Sequence, residues 1–361
     1  LLDGKVVGCP HNLLEPQSTN LVTYSELFTG WTLDDATIVG NNAISPDGTL
    51  NAVLLKGNTN SSRHHIQKGG WSQNANSSLS VFVKAKELKY VQIATANDVN
   101  QYANFDVSVG VVGTVGSSFS NAKIEDYGNG WYRLSVVGTR SNGLYISLVS
   151  GLTASWLESW TMANNTDGLF IWGGQAEISS FATSYIPTTN QVTTRLGETA
   201  TGSGNSTTFS DSEGVLMAEI SRQEGNVLTT AWSVNNGALA NSVNVYYYGT
   251  NVLYFDIFSG SATVSGNINI NTYNLNKIAL KYKSGSISLY VNGFELITKT
   301  NAISLSGLKD LDFNFGAGNQ PFHGKTKQVQ YFDSILDSQQ LEELTSWQSF
   351  SDMAEGQLYT I

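Results

Sequence analysis

Short segments in which apolar and polar residues alternate recur along almost the whole chain. They lie at 78–86, 90–96, 104–113, 131–139, 144–150, 214–223, 244–260, 277–299 and 311–318. Alternation with a period of two predicts half-buried β-strands. One segment, 337–347, instead has helical spacing, with Asp337 or Ser338 as its candidate N-cap and Leu341 and Leu344 on one face. The pattern therefore predicts an all-β fold of two β-sandwich (jelly-roll) domains in tandem, with one short C-terminal helix.

Turn signals divide these strands into hairpins and into two blocks. Gly128-Asn129-Gly130 and the Ser284-Gly285 pair each predict a tight turn between antiparallel strands. A chain of 361 residues, 40% of them hydrophobic, is long enough for two cores. We predict four parts, namely an N-terminal extension (1–20), a first β-sandwich (21–190), a second β-sandwich (191–347) and a C-terminal tail (348–361).

The junction between the blocks begins with the segment Ser179–Arg195, which reads SSFATSYIPTTNQVTTR. We interpret FATSYIP as the last extended segment of the first sandwich, with Tyr185 and Ile186 packed. Pro187 cannot donate to a strand ladder and would end it. The Gly/Ser/Thr-rich residues that follow have the composition of a linker between domains.

Composition and charge narrow the classes of partner. Only 13% of the residues are charged, about half the usual share, and the net charge is −10. No cluster of Lys and Arg is present, which argues against nucleic-acid binding and against acidic membrane surfaces. No apolar run reaches transmembrane length, so we predict no membrane insertion. Cys9 is the single cysteine, and we interpret it as a small buried side chain. The chain begins at Leu1 without a signal-peptide pattern, as expected of a piece of a longer polypeptide.

Four segments of the first block match a known module in the same order. They are LLEPQSTNLVTYSELFTGWTL (13–33), SPDGTLNAVLL (45–55), GNGWYRLSV (128–136) and IWGGQAEISSFATSYIPT (171–188). Together they resemble the carbohydrate-binding-module-like jelly roll of bacteriophage tail and head-fibre proteins. The second block, through 214–220, 277–296 and 322–347, is similar to concanavalin-like, laminin-G-type sandwiches.

This resemblance implies a virion appendage protein that binds glycans without catalysis. The implied partners are glycans on a bacterial surface, other virion proteins and further copies of the chain in a trimer or dimer. The implied location is the extracellular virion, after synthesis in the host cytoplasm. Two alternatives stay open: a purely structural fibre or decoration subunit that mediates assembly, and a polysaccharide depolymerase.

The sequence shows no constellation typical of an enzyme, and we predict no catalytic residues. Glycoside hydrolysis needs two carboxylates that face each other across a sugar. Asp310 and Asp312 lie on one strand face without a third acid, and we interpret them as a solvated strand start. His323 and Tyr331 are a pairing that a lyase could use, but no placed arginine accompanies them. No nucleophile elbow or Walker-type loop is present.

Metal-binding patterns are equally sparse, and we predict no cofactor. His64 and His65 are adjacent, so in a strand they point to opposite faces and cannot converge on zinc. Asp34, Asp35 and Asp47 leave a structural calcium ion as the alternative to ordinary solvated turns.

Sugar binding needs flat aromatic faces together with short polar side chains. The candidates that combine these features are Trp71, Gln73, Asn74, Trp156, Trp160, Tyr246 and Tyr248. Packing explains Trp71 as well as binding does, and it is the favoured explanation for the other aromatic candidates. In a strand Tyr246 and Tyr248 share one face and Tyr247 takes the other, so we expect at least one of the three to be exposed. The remaining tryptophans of the matched module, Trp31, Trp131 and Trp172, are predicted core residues.

Overall fold

The computed structural model describes residues 12–71, 75–139, 141–223, 225, 229–316 and 318–347. These residues form two compact units. The first unit comprises 17–196, and the second comprises 12–16 together with 197–347. Both units are built from β-strands, and a single short helix follows the last strand. The predicted all-β fold class is confirmed.

The strands from the start of the chain to the end of the first unit are β1 (Asn12–Leu14), β2 (Ser18–Asn20), β3 (Thr32–Asp34), β4 (Ala36–Ile44), β5 (Leu50–Gly57), β6 (His64–Gly69), β7 (Asn76–Lys84), β8 (Tyr90–Ala94), β9 (Tyr102–Asp106), β10 (Val111–Val115), β11 (Phe119–Asp126), β12 (Trp131–Thr139), β13 (Gly143–Leu148), β14 (Gly168–Glu177) and β15 (Thr193–Arg195). The remaining elements are β16 (Glu213–Arg222), β17 (Thr230–Asn235), β18 (Asn241–Tyr248), β19 (Val252–Ser259), β20 (Ala262–Asn269), β21 (Asn276–Lys283), β22 (Ile287–Val291), β23 (Phe294–Lys299), β24 (Asp310–Asp312), β25 (Gly324–Phe332) and α1 (Ser338–Thr345).

The first unit is a sandwich of two six-stranded antiparallel sheets. Their strand orders are β10-β9-β8-β13-β6-β3 and β11-β12-β7-β14-β5-β4. Side chains from both sheets form one buried core, with Ile66 and Phe105 from the first sheet and Val81 and Ile171 from the second. The predicted hairpin turn at 128–130 joins β11 to β12, and its three residues all have positive φ. Trp31, Trp131 and Trp172 are buried, as predicted.

The second unit has the same two-layer construction. A six-stranded sheet, β1-β25-β16-β21-β22-β23, faces a five-stranded sheet, β20-β19-β18-β17-β24. Leu216 and Leu280 of the larger sheet share a core with Val245 and Phe255 of the smaller one. The helix α1 packs with Leu341 in a separate apolar cluster that includes residues of β16, β21 and β22.

The N-terminal segment contributes a strand to each unit. β1 pairs with β25 of the second unit, and β2 pairs with β15 of the first. The segment predicted as an extension over 1–20 therefore contains two paired strands in its described part. Each has only three residues, which is too short for alternation to reveal. Residues 1–11 and the predicted tail 348–361 lie outside the described residues.

Hydrogen bonds of side chains hold the segment that ends the first unit. Glu177 is fully buried and accepts bonds from Ser18 Oγ (2.5 Å), Gln175 Nε2 (2.8 Å), Thr183 N (3.0 Å) and Thr183 Oγ1 (2.5 Å). Gln175 Oε1 in turn accepts from the backbone N–H of Ile186. The prediction that this segment forms a last strand was wrong, because these side chains replace a strand ladder between 178 and 188. Ile186 is buried, as expected.

Helix α1 begins as predicted, with Asp337 as its N-cap. The Asp337 side chain accepts from Gln340 N, and the Gln340 side chain accepts from Asp337 N, which completes a capping box. Leu341 is fully buried and Leu344 packs beside it, so the predicted apolar face is confirmed.

Two strand predictions need correction. The segment 104–113 is two strands, since β9 ends at Asp106 and Gly110 (φ +69°) takes part in the turn before β10. The interpretation of Asp312 as a solvated residue was wrong. Its side chain is buried and accepts bonds from Gly202 N (2.6 Å) and Asn235 Nδ2 (2.8 Å).

Candidate functional site

The outer face of the five-stranded sheet carries the side chains that form the site. Tyr247 is fully buried in the core of the second unit, while Tyr246 and Tyr248 lie on the opposite face of β18. This is the alternation that the sequence predicts for the tyrosine triplet. The β18–β19 hairpin places Tyr254 directly across from Tyr246.

These tyrosines form a continuous aromatic surface. The rings of Tyr246 and Tyr254 are nearly parallel, with centroids 5.3 Å apart and planes at 17°. Tyr248 meets Tyr254 edge-on at 5.8 Å and is 56% exposed. Because Tyr246 and Tyr254 stack, each covers part of the other's face, and a ligand ring would pack its C–H groups on the uncovered parts and on the exposed ring of Tyr248.

Asp256 fixes the polar groups beside the aromatic surface. Its carboxylate accepts hydrogen bonds from Tyr246 Oη (2.8 Å) and Ser265 Oγ (2.5 Å). Burial, and then the charge and hydrogen bond of Asp256, raise the pKa of Tyr246 well above its usual value. The phenol therefore stays protonated and donates to Asp256, which leaves its oxygen lone pairs free to accept from a ligand hydroxyl.

A cleft of about 470 Å³ opens over these groups, and we call it the tyrosine cleft. Its lining residues come from β18, β19, β20 and β23, and are Tyr246, Tyr254, Asp256, Ser265, Gly266, Asn267, Ile297 and Lys299. The volume lies in the range of roughly 300–1,000 Å³ that small-molecule sites occupy. The lining alternates aromatic carbon with hydroxyl, amide, carboxylate and ammonium groups, which suits a ring compound rich in hydroxyl groups.

The tryptophan candidates of the first unit lie elsewhere and each donates to the backbone. Trp71 Nε1 donates to Ser141 O (3.0 Å), and Trp160 Nε1 donates to Leu148 O (3.1 Å). Both rings are half-buried and pack against the core of the first unit. Trp71 and Trp160 therefore make the contacts expected of packing residues.

Trp156 has one ring face occupied. Its Nε1 donates to Thr95 O (2.8 Å), and the guanidinium carbon of Arg63 lies 5.0 Å from the ring centre. The other two candidates from this unit, Gln73 and Asn74, lie outside the described residues. Of the predicted site residues, Tyr246 lines the tyrosine cleft and Tyr248 lies beside it.

Several lining residues were missed at the level of sequence, namely Tyr254, Asp256, Ser265, Asn267, Ile297 and Lys299. The sequence does contain a signal for Tyr254 and Asp256. A tight turn at 249–251 joins the two strands and sets Tyr254 across from Tyr246. The contribution of β23 arises from tertiary packing and leaves no local pattern.

The histidines and aspartates considered for metals have other partners. His64 engages Asp35 O (2.9 Å) and Trp160 O (3.0 Å) through its two ring nitrogens. Hydrogen bonds from Asn58, Ser62 and Asn60 lower the pKa of Asp35 to about 2. Within the described ranges, no group of three or more His, Cys, Asp or Glu side chains is placed to hold a metal ion.

Asp47, in a turn, and Asp34, at the end of β3, are the remaining aspartates considered for calcium. Asp47 accepts from the hydroxyls of Ser45 (2.6 Å) and Thr49 (2.8 Å) within its own turn. Asp34 Oδ2 lies 3.9 Å from His65 Nδ1, with its side chain 50% exposed.

The pairing of His323 with Tyr331 does not form. His323 precedes β25, whereas Tyr331 lies near its far end and meets the hydroxyl of Tyr282 at 2.7 Å. In the part of the chain that the structure describes, no helix has the length and apolar character needed to cross a membrane.

Comparison with known proteins does not assign the chain to a family. No family model and no curated protein sequence matches the chain. Among solved structures, the chain is similar to a Ruminococcus gnavus IT-sialidase CBM40 bound to α2,3 sialyllactose (16% identity, TM-score 0.35, 41% of this chain and 94% of that one). It is also similar to a SAP-like pentraxin from Limulus polyphemus (12%, 0.34, 42% and 76%) and to domains LG4-5 of the mouse laminin α1 chain (10%, 0.29, 92% and 96%). These values are too low to assign a fold family or a ligand to this chain.

Proposed function

We propose that the chain is a non-catalytic glycan-binding protein and that the tyrosine cleft holds the sugar. One observation carries the proposal. The near-parallel Tyr246 and Tyr254 line the same cleft as Asp256, which holds the hydroxyls of Tyr246 and Ser265 in place.

This arrangement meets the two requirements of sugar binding. A pyranose ring presents C–H groups on one face, which pack on the tyrosine surface, and hydroxyl groups at its rim. The rim hydroxyls can donate to the fixed oxygens of Tyr246 and Ser265 and can bond with Asn267. Because Asp256 already orients these groups, they lose little conformational entropy when a sugar binds.

The wider role rests on the resemblance of the first block to phage fibre modules. The segments 13–33 and 171–188 carry most of that resemblance. We place the chain on a virion appendage, a tail or head fibre, as an oligomer that meets glycans of a bacterial surface. Its remaining partners would be other proteins of the extracellular virion.

The test is an array of bacterial surface glycans, followed by calorimetry with the best binder. Tyr254→Ala removes half of the stacked pair, and Asp256→Asn removes the charge that orients two hydroxyls. We expect each variant to weaken binding severalfold. A stacked ring is worth about 0.5–1.5 kcal/mol beyond its buried area, and an oriented hydrogen bond contributes a similar amount, which is roughly a two- to twelvefold change in affinity. Phe294→Ala, which removes a 68% exposed ring outside the cleft, serves as the matched control and should bind normally.

Two results would overturn the proposal. Absence of any glycan binding by the wild-type chain would leave the structural fibre subunit as the better explanation. Shortening of a bacterial capsular polysaccharide on incubation, followed by size-exclusion chromatography, would show a depolymerase and contradict the non-catalytic assignment.

A further inference from the structure

The outer face of the five-stranded sheet continues beyond the tyrosine cleft as a polar floor. Asn244 pairs with Asp256 on one side and with Ser233 on the other, so these residues form one row across β19, β18 and β17. Asn244, Ser233 and the neighbouring Ser242 are fully buried. A buried polar row on the outside of a sandwich needs a cover, because the core lies on the other face of the sheet.

Phe315 lies on this row. Its ring centre is 5.0 Å from that of Tyr246 and 6.0 Å from that of Phe258, edge-on to both. Tyr246 and Phe258 lie in the rows on either side of Asn244 and Asp256, so the Phe315 ring, which contacts both, lies next to the cleft on the side of Tyr246. The backbone N–H of Phe315 donates to Asn319 O (2.7 Å), which fixes the backbone of Phe315 itself.

The side-chain oxygen of Asn244, next to the Phe315 ring, accepts no hydrogen bond. Its Nδ2 donates to Ser242 Oγ (2.7 Å) and to Asp256 O (3.2 Å). Its Oδ1 is buried and has no hydrogen-bond partner. A buried carbonyl oxygen without a donor is unfavourable, and an apolar ring above it cannot supply one.

We propose that Phe315 sets the length of saccharide that the tyrosine cleft accepts, so that the site takes the end of a glycan chain. The Phe315 ring occupies the place where the next sugar along the row would lie. Without the Phe315 ring, the polar row of Asp256, Asn244 and Ser233 would be open to this next sugar. Asn244 Oδ1 would then accept a hydrogen bond from one of its hydroxyl groups. This inference rests on the proposed function. It adds the class of ligand, because the site would bind the ends of glycan chains and not their interiors.

The experiment compares chain lengths. Gluco-, xylo-, manno-, galacto- and chito-oligosaccharides of two and six units are titrated into the wild-type chain and into Phe315→Ala. For the series that binds, we expect the wild type to bind both lengths equally. Phe315→Ala should favour the six-unit chain about fivefold, the gain that one added hydrogen bond gives. Adding Asn244→Ala to Phe315→Ala should remove that gain.

Two controls keep the result interpretable. Phe315→Leu keeps an apolar cover and should stay close to wild type. Phe315→Val removes less volume than Phe315→Ala and tests the same gain for the six-unit chain if Phe315→Ala folds poorly. Phe294→Ala controls for loss of an exposed ring elsewhere. An unchanged length ratio in folded Phe315→Ala overturns this inference alone. Absence of binding by the wild type both to every oligosaccharide and to every glycan of the array overturns it together with the proposed function.

Discussion

At the scale of single residues, the site depends on partners that the chain brings together only on folding. Tyr246 and Asp256 are ten residues apart and meet because β18 and β19 form a hairpin. Alternation predicts that Tyr246 and Tyr248 share one face and Tyr247 the other, and the structure buries Tyr247 and exposes Tyr248. It does not predict Asp256 as the partner of Tyr246, because register depends on the turn and on both strands.

Tyr246→Phe tests the hydroxyl separately from the ring. The ring still stacks on Tyr254, but the oxygen held by Asp256 is lost. We expect glycan affinity to fall about fivefold, the value of one hydrogen bond, together with a fall in Tm, because the part-buried bond to the Asp256 carboxylate is lost as well. Calorimetry and differential scanning calorimetry on the same samples measure both, and an unchanged affinity would exclude the hydroxyl as a contact.

Glu26 provides a pH test. Burial, and then the charge of Asp47, raise the pKa of Glu26. A carboxyl whose pKa is raised by folding favours the folded state at low pH, and this contribution is lost as the pH rises through the raised value. We therefore expect Glu26→Gln to have a higher Tm than wild type at pH 7 and a smaller advantage near pH 4. Glu125→Gln, at an exposed strand position, is the control, and a lower Tm of Glu26→Gln at pH 7 would contradict the prediction.

At the scale of elements, long alternating strands could be predicted and short or irregular ones could not. The strand at 131–139 and the capped helix were found at almost their observed bounds, because each has a full pattern of its own. The three-residue β1 and β2 have no such pattern. The segment FATSYIP (181–187) was predicted as a last extended segment that Pro187 ends, whereas side chains of Glu177 and Gln175 hold it without a strand ladder.

Thr183→Val tests this hydrogen-bonded segment. Valine has the shape of threonine but lacks the hydroxyl that donates to the buried carboxylate of Glu177 at 2.5 Å. We expect a loss of about 1.5–3 kcal/mol in the free energy of unfolding, the range for a bond to a charged group. Urea denaturation measures it, with the exposed Thr189→Val as the control. Equal stabilities of the two variants would show that the bond is dispensable.

At the scale of the whole molecule, both predicted sandwiches are present, and the described part of the second includes a strand from the start of the chain. Composition and strand spacing predict two sandwiches, and each unit has a core of its own. They do not show that the second unit takes its outermost strand, β1, from residues that precede the first unit. The first unit is therefore inserted into the sequence of the second.

Fragments test this organisation. Residues 17–196 contain every strand of the first unit's sheets, so we expect this fragment to fold alone. Residues 197–361 lack β1 and leave the edge of β25 unpaired, so we expect lower solubility and a lower Tm than in a version with 8–16 attached through a flexible linker. Circular dichroism and thermal melts compare the three. Equal behaviour of 197–361 with and without the attached 8–16 would show that β1 contributes nothing.

The pairing of β1 with β25 also has a consequence for synthesis. Asn12 leaves the ribosome about 310 residues before its partner Thr326. At roughly 5–20 residues per second, that interval is on the order of 15–60 s. During this time the first unit can be completed, while β1 of the second unit stays unpaired because β25 has not been synthesised. The nascent chain therefore closes its second sandwich last, and chaperones that shield an unpaired N-terminal segment would act in that interval.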